Sequence, residues 1–205
     1  MHNENTSKGV FNTPNPKTLD LLLNRRSVKA RDMVGSGPDK ETISQILQAA
    51  MRVPDHGKLA PWRFIVLEGN EKEKLGDLIA EALQAENNAS ETVAEKMKGY
   101  ATQGPVLIIA VFSPSSARPI PIWEQWLSAG AACQNMLVAA TALGYASQWL
   151  TGWASTSRHV AKGLGLCEHE QIAGFMFLGD HPEEQPTERP RPEFDKQVYF
   201  GFPEA

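Results

Sequence analysis

Val106-Leu107-Ile108-Ile109-Ala110-Val111-Phe112 is an unbroken apolar run of strand length. It predicts a buried central strand, since no residue in it suits a water-facing side. Working outward, residues 62–67 are aromatic and β-branched and predict a second strand. Two amphipathic helices, 71–86 and 90–102, fill the interval between them. Beyond Phe112, residues 113–121 carry three prolines and must be a loop. The longest helical segment follows at 123–143, crowded with small residues such as Ala129, Gly130 and Ala131, and Gly144 stops it. A short strand at 145–150, a small helix capped by Ser155 or Thr156 and running to Leu164, and a buried strand at 172–178 complete this half. Upstream, Asp39 caps a helix that carries Ile43, Ile46, Leu47, Ala50 and Met51 and ends at Pro54. A leucine-rich helix around residues 19–23 ends near Arg25. Strands and helices are mixed without strict alternation, which selects an α+β class over a doubly wound sheet.

Residues 1–16 are polar and read as a mobile arm, leaving 17–205 as a single domain. The chain has 205 residues, 41% apolar and 21% charged, enough for one proper core. A formal net charge of −4 argues against a nucleic-acid partner, which selects for basic excess. The most apolar stretch, 127–143, is broken by Ser128, Gln134, Asn135 and Thr141 and is shorter than the ~20 apolar residues a membrane span needs. With no apolar leader after Met1, the expectation is a cytoplasmic protein with no membrane partner. Cys133 and Cys167 lie outside any CxxC pattern and read as two reduced, buried thiols.

No GxGxxG, GxxxxGK[ST] or GxSxG motif occurs. His159, Cys167 and His169 sit among charged residues that read as solvated helix and turn, so no metal site is expected. Four short segments remain. Arg25-Arg26-Ser27 has the forks and hydroxyl that suit a phosphomonoester, although a solvated helix end is the simpler explanation. Arg189 and Arg191 are held in a tail, 181–192, that contains four prolines. Val53-Pro54-Asp55-His56-Gly57 and Pro61-Trp62-Arg63-Phe64 make a helix–turn–strand connection. In Gln148-Trp149-Leu150-Thr151-Gly152-Trp153 two tryptophans flank a glycine at a strand end, a pattern that core packing also produces.

Taken in order, these segments resemble the nitroreductase superfamily, closest to the small bacterial NAD(P)H nitroreductases. The likeness spans about residues 19–200 and includes Asn24-Arg25-Arg26-Ser27, Ala49 through His56, Pro61-Trp62-Arg63-Phe64, Trp123-Glu124-Gln125, Trp149 to Gly152 and Phe177-Leu178-Gly179. It implies an α+β fold with a mixed central sheet flanked by helices, in an interwoven homodimer with FMN at the subunit interface. It implies that Arg25, Arg26 and Ser27 hold the FMN phosphate and ribityl end, completed by Arg189 and Arg191. Arg52 and His56 would reach the flavin from the other subunit, and the tail 182–205 would extend to that partner. Trp149, Leu150 and Thr151 would line the flavin ring. Ala139, Ala140, Thr141, Ala142, Leu143 and Gly144 match the stretch assigned to the nicotinamide nucleotide.

The implied activity is ping-pong hydride transfer from NADH or NADPH to FMN and on to a nitroaromatic, quinone or similar small acceptor. The cofactor carries the chemistry, so no catalytic side chain is assigned. The alternatives are reductive dehalogenation or flavin fragmentation within the same superfamily, for which the 113–121 loop looks too short a lid, or flavin binding without turnover. Two departures stand out. Ala60 replaces an amide residue common before the Pro-Trp pair, and Leu150 replaces an arginine that close relatives place after the strand-end tryptophan.

Overall fold

A computed structural model of the chain describes residues 13–184 and 186–202. Four strands form one sheet in the order β1-β2-β4-β3: β1 Trp62–Glu68, β2 Val106–Phe112, β3 Ala146–Leu150 and β4 Gln171–Gly179. The predicted central strand is β2, and every residue in it is buried. Its side chains alternate. Leu107, Ile109 and Val111 enter one core with Ile79, Phe175 and Phe177. Ile108, Ala110 and Phe112 enter another with Ile46, Met136 and Leu178. Each such aliphatic or aromatic burial contributes about 1.5–3 kcal/mol. The first core is roofed by α3 Asn70–Asn87, α4 Glu91–Lys98 and α6 Arg158–Gly163, and the second by α2 Lys40–Ala50 and α5 Ile122–Ala142.

The sheet departs from the expected mixed arrangement, because every pairing among the described strands is antiparallel. Connectivity explains this. Two helices, α3 and α4, stand between β1 and β2 and return the chain to the end it left. The single helix α5 carries β2 over to β3 in the same direction, but β4 inserts between those two strands. The two parallel relations, β2 with β3 and β1 with β4, are therefore never hydrogen-bonded.

The helical segments fall close to their predicted positions, with informative shifts at the ends. The first helix, α1 Pro16–Asn24, starts earlier than the leucines suggested. Asn15 caps it through the Thr18 amide at 3.1 Å, and Pro16 sits where a missing N–H costs nothing. The end of the proposed arm is thus helix, and residues 1–12 lie outside the described residues. α4 stops at Lys98, short of Thr102, with Gly99 following it. The cap of α6 is Ser157, whose hydroxyl accepts from the Val160 amide at 3.1 Å, in place of Ser155 or Thr156. α7 Phe194–Gln197 is a single turn after the proline-rich tail. Among the thiols, Cys133 is buried as expected, but Cys167 is exposed because it lies in the turn after α6. No helix among the described residues is long and apolar enough to cross a membrane.

Candidate functional site

β3 is an edge strand, and the chain lays residues 25–30 against it. The Val28 amide donates to the Ser147 carbonyl at 3.2 Å, and the Ala30 amide to Gln148 Oε1 at 2.6 Å. This seats Arg25, Arg26 and Ser27 directly after α1. The proline-rich tail then folds back over them. Arg26 Nε donates to the Thr187 carbonyl at 3.2 Å, and its Nη1 to the Ser27 carbonyl at 3.1 Å. The resulting cleft, of about 450 Å³, is lined by Arg26, Ser27, Lys29, Gln148, Thr187 and Arg189, with Asp32 and Glu184 also in its wall. That volume lies within the range of small-ligand sites.

The electrostatics of this cleft are unbalanced. Burial pulls the Arg25 guanidinium down from its ordinary value, and the charges of Arg191 and Arg26 pull it further. Its Nη1 is buried and meets no acceptor among the described residues. Such an atom costs about 1–3 kcal/mol unless something accepts its proton. Glu188 offsets part of the charge by pairing with Arg191 at 2.8 Å. Its carboxyl is held low by the Arg189 amide first and by Arg191 and Arg26 after it. Arg25, Arg26 and Arg191 lie close enough to feel one another's charge, and the cleft wall itself sets Arg26, Lys29 and Arg189 against Asp32 and Glu184, a cationic excess that suits an anion.

The turn after α2 sits at the other end of the sheet order, leading into β1. Asp55 closes it, accepting from the Leu59 amide at 3.1 Å and the Ala60 amide at 2.8 Å. Two of the four polar residues that interrupt α5 are spent here. Ser128 Oγ donates to the Pro54 carbonyl at 2.6 Å, and Asn135 Nδ2 to the Ala49 and Arg52 carbonyls at 3.1 and 3.0 Å. His56 Nδ1 meets Glu124 Oε2 at 2.7 Å. The buried Gln125 ties down the 113–121 loop through both Ser115 backbone groups and the Ile120 carbonyl. Arg52 is exposed. Neither Arg52 nor His56 lines the arginine cleft; His56 lines a separate cleft of about 400 Å³ with Trp123, Leu127 and Ala131. Ala60 has φ +46, a left-handed conformation that costs alanine more than it costs asparagine. That gives the departure at this position a physical meaning.

The strand-end tryptophan is more occupied than its position suggested. Register shifts in β4 between the partners of Ala110 and Val111, which leaves Ala173 unpaired. The Trp149 indole N–H donates to the Ala173 carbonyl at 3.1 Å. A Cβ at Gly174 would collide with that indole, so glycine is required there. Trp149 and Leu150 pack into opposite cores, while Thr151 is exposed. Residues 139–144 form the end of α5. Ala140 is fully buried, Thr141 Oγ1 donates to the Leu137 carbonyl, and Gly144 turns with φ +85. Packing accounts for the small size of Ala140, whereas Ala142, Leu143 and Gly144 are exposed, and none of the six lines the arginine cleft. Lys29, Gln148 and Thr187 line it without having been assigned a role there. A lone polar residue in a strand or loop leaves no pattern to read, although Lys29 stands two residues after Ser27.

The model of the nitroreductase family matches residues 22–180. The chain belongs to the nitroreductase family. It is 34% identical over 161 residues to the candidate NAD(P)H nitroreductase YdjA of Escherichia coli K12, covering 78% of this chain and 86% of that one. Among solved structures, a nitroreductase-like family protein of Bacillus cereus shares the fold with a TM-score of 0.77 at 20% identity, covering 92% of this chain and 97% of the other. A candidate nitroreductase of Desulfovibrio desulfuricans, solved in complex with FMN, superposes with a TM-score of 0.69 at 24% identity, covering 93% and 100%. The matched nitroreductase segment begins within α1 and ends at Asp180, so the arginine tail 186–192 lies beyond it.

Proposed function

We propose that this chain is an FMN-dependent NAD(P)H oxidoreductase that works as a homodimer. The observation that carries the reading is the arginine cleft, beside which a buried Arg25 Nη1 meets no acceptor among the described residues. A phosphomonoester dianion fits that set. Arg25, Arg26 and Arg191 hold the phosphate, Arg189 adds charge, and Ser27 supplies a hydroxyl. Lys29 and Gln148 line the path away from the phosphate. β3 leads from Gln148 to Thr151, where the ring end lies against the strand terminus. FMN, when bound there, would supply the chemistry of ping-pong hydride transfer between NADH or NADPH and a small nitroaromatic or quinone acceptor.

The dimer is supported by apolar side chains left in water. No residue of α1 is buried. Leu23 is 71% exposed, Trp123 64% and Phe200 93%, far more large apolar surface than a monomer of this size sustains. Arg52 and His56 contribute from the second subunit, and the tail beyond Glu193 packs against it. One absorbance titration tests the reading. The purified protein carries a flavin spectrum that NADH or NADPH bleaches and menadione or nitrofurazone restores. A colourless protein that takes up no FMN refutes it.

A further inference from the structure

We propose that Tyr100 is a positioning residue for the ring end of the flavin site, an inference that rests on the FMN reading above. Tyr100 comes from the segment between α4 and β2, and nothing in its sequence surroundings links it to the site. In the fold its hydroxyl donates to the Thr151 carbonyl at 2.8 Å. Its ring is edge-on to Phe175 at 5.5 Å and to Phe177 at 6.1 Å, with interplanar angles of 85° and 84°. Phe175 is in turn the register partner of Leu150. The strand that fixes the end of β3 thus also fixes the phenol that reaches past it. Edge-on pairs of this kind resist rotation of the ring.

Thr151 needs such a hold. The next residue, Gly152, has φ +84 and ψ −176, a region open almost solely to glycine. Its carbonyl is fixed from the far side by the Ser155 amide at 3.1 Å and Ser155 Oγ at 2.7 Å. Tyr100 supplies the near-side anchor. Burial pushes the phenol up to about 12, so it remains a donor at any assay pH. The turn is therefore held from both sides, while in this reading the phosphate is gripped through Arg25–Ser27, a segment laid against the same strand. The two ends of the flavin are set by separate devices, and Tyr100 belongs to the ring end alone.

The test is Tyr100→Phe in the FMN-loaded protein, which keeps the ring and removes the hydroxyl, beside Ile79→Val, which loosens the same core without touching the turn. FMN affinity of Tyr100→Phe stays within about threefold of wild type, because the phosphate grip is intact. Its visible flavin band is displaced, and the rate of flavin reduction by NAD(P)H falls on the order of tenfold, as displacement of a reacting centre does. Its melting midpoint without FMN drops by only about 2–4 °C. Ile79→Val leaves band and rate unchanged. A wild-type band and rate in Tyr100→Phe overturn the proposal while leaving the FMN reading intact. Equal losses in Ile79→Val, or a Tyr100→Phe chain that does not fold, assign the hydroxyl to stability and also overturn it. A wild-type protein that takes up no FMN defeats the cofactor reading first, and this with it.

Discussion

Along β3 the chain builds a nearly finished binding cleft. A segment pairs with the strand edge, a proline-rich tail folds back over it, Arg26 and Arg189 line the pocket between them, and the charges of Arg25 and Arg191 lie beside it within one protomer. At β1 the corresponding turn is well held but incomplete. Asp55, Ser128 and Asn135 satisfy its backbone and His56 pairs with Glu124, yet His56 opens onto a mostly apolar cleft with Trp123 and Leu127, and Arg52 is exposed. Three strand spacings, roughly 14 Å, separate the two edges. One flavin reaching both edges of one protomer would have to span the sheet. In the proposed dimer, two protomers packed through the exposed faces of α1 and α5 would remove that difficulty, since each would bring its β1-side turn to the other's cleft. The asymmetry between the edges is what the proposed shared site requires.

The β1 edge rests on one strong interaction, and breaking it should have the largest effect. Arg63 forks onto the buried Glu170 at 2.6 and 2.8 Å, tying the start of β1 to the start of β4. Arg63→Met leaves that carboxylate buried without its cation, so chemical denaturation should show a loss of about 3 kcal/mol. The hydrogen bonds from Arg63 hold the Glu170 carboxyl down to about 2. Its folded value lies below the ordinary one near 4.3, so its contribution is complete above that value. It fades as pH falls toward about 2. The stability advantage of wild type over Glu170→Gln should therefore shrink between those two pH values and not above them.

The β3 edge is probed by its charges. Arg26→Ala and Arg191→Ala should each raise the FMN dissociation constant about tenfold to a hundredfold, the worth of one charge-assisted hydrogen bond. Unchanged affinity in both would move the phosphate elsewhere. The smallest expected change returns to the β1-side turn. Ala60→Asn places an amide side chain on a left-handed backbone, and should raise stability by about 0.5–1 kcal/mol with FMN affinity unaltered. A loss of stability would show that the turn relaxes out of that conformation.

Much of this was readable in the chain. The apolar run of β2, the capped α2 and the small-residue α5 carry local signals that tertiary packing reinforces. Arg25-Arg26-Ser27 and the Arg189–Arg191 tail were readable as charge held in stiff surroundings. What escaped depended on contacts distant in sequence. The antiparallel pairing follows from β4 inserting between β2 and β3, which no local pattern encodes. The commitment of the Trp149 indole to the Ala173 carbonyl depends on a register slip in another strand. Gln148 and Tyr100 gain their roles from partners 118 and 51 residues away in sequence, at the Ala30 amide and the Thr151 carbonyl.

The shared site is tested most directly by complementation. Chains carrying Arg26→Ala and Arg191→Ala are mixed and refolded with chains carrying Arg52→Ala and His56→Ala, and the isolated heterodimers are titrated with FMN. In a site shared across the interface, one of the two clefts in each heterodimer combines the unaltered arginines of one chain with the unaltered turn of the other. The account predicts one FMN per heterodimer at wild-type affinity, although each parent homodimer binds weakly at both sites. Heterodimers in which no site recovers would place both regions of the flavin site within a single chain and contradict it.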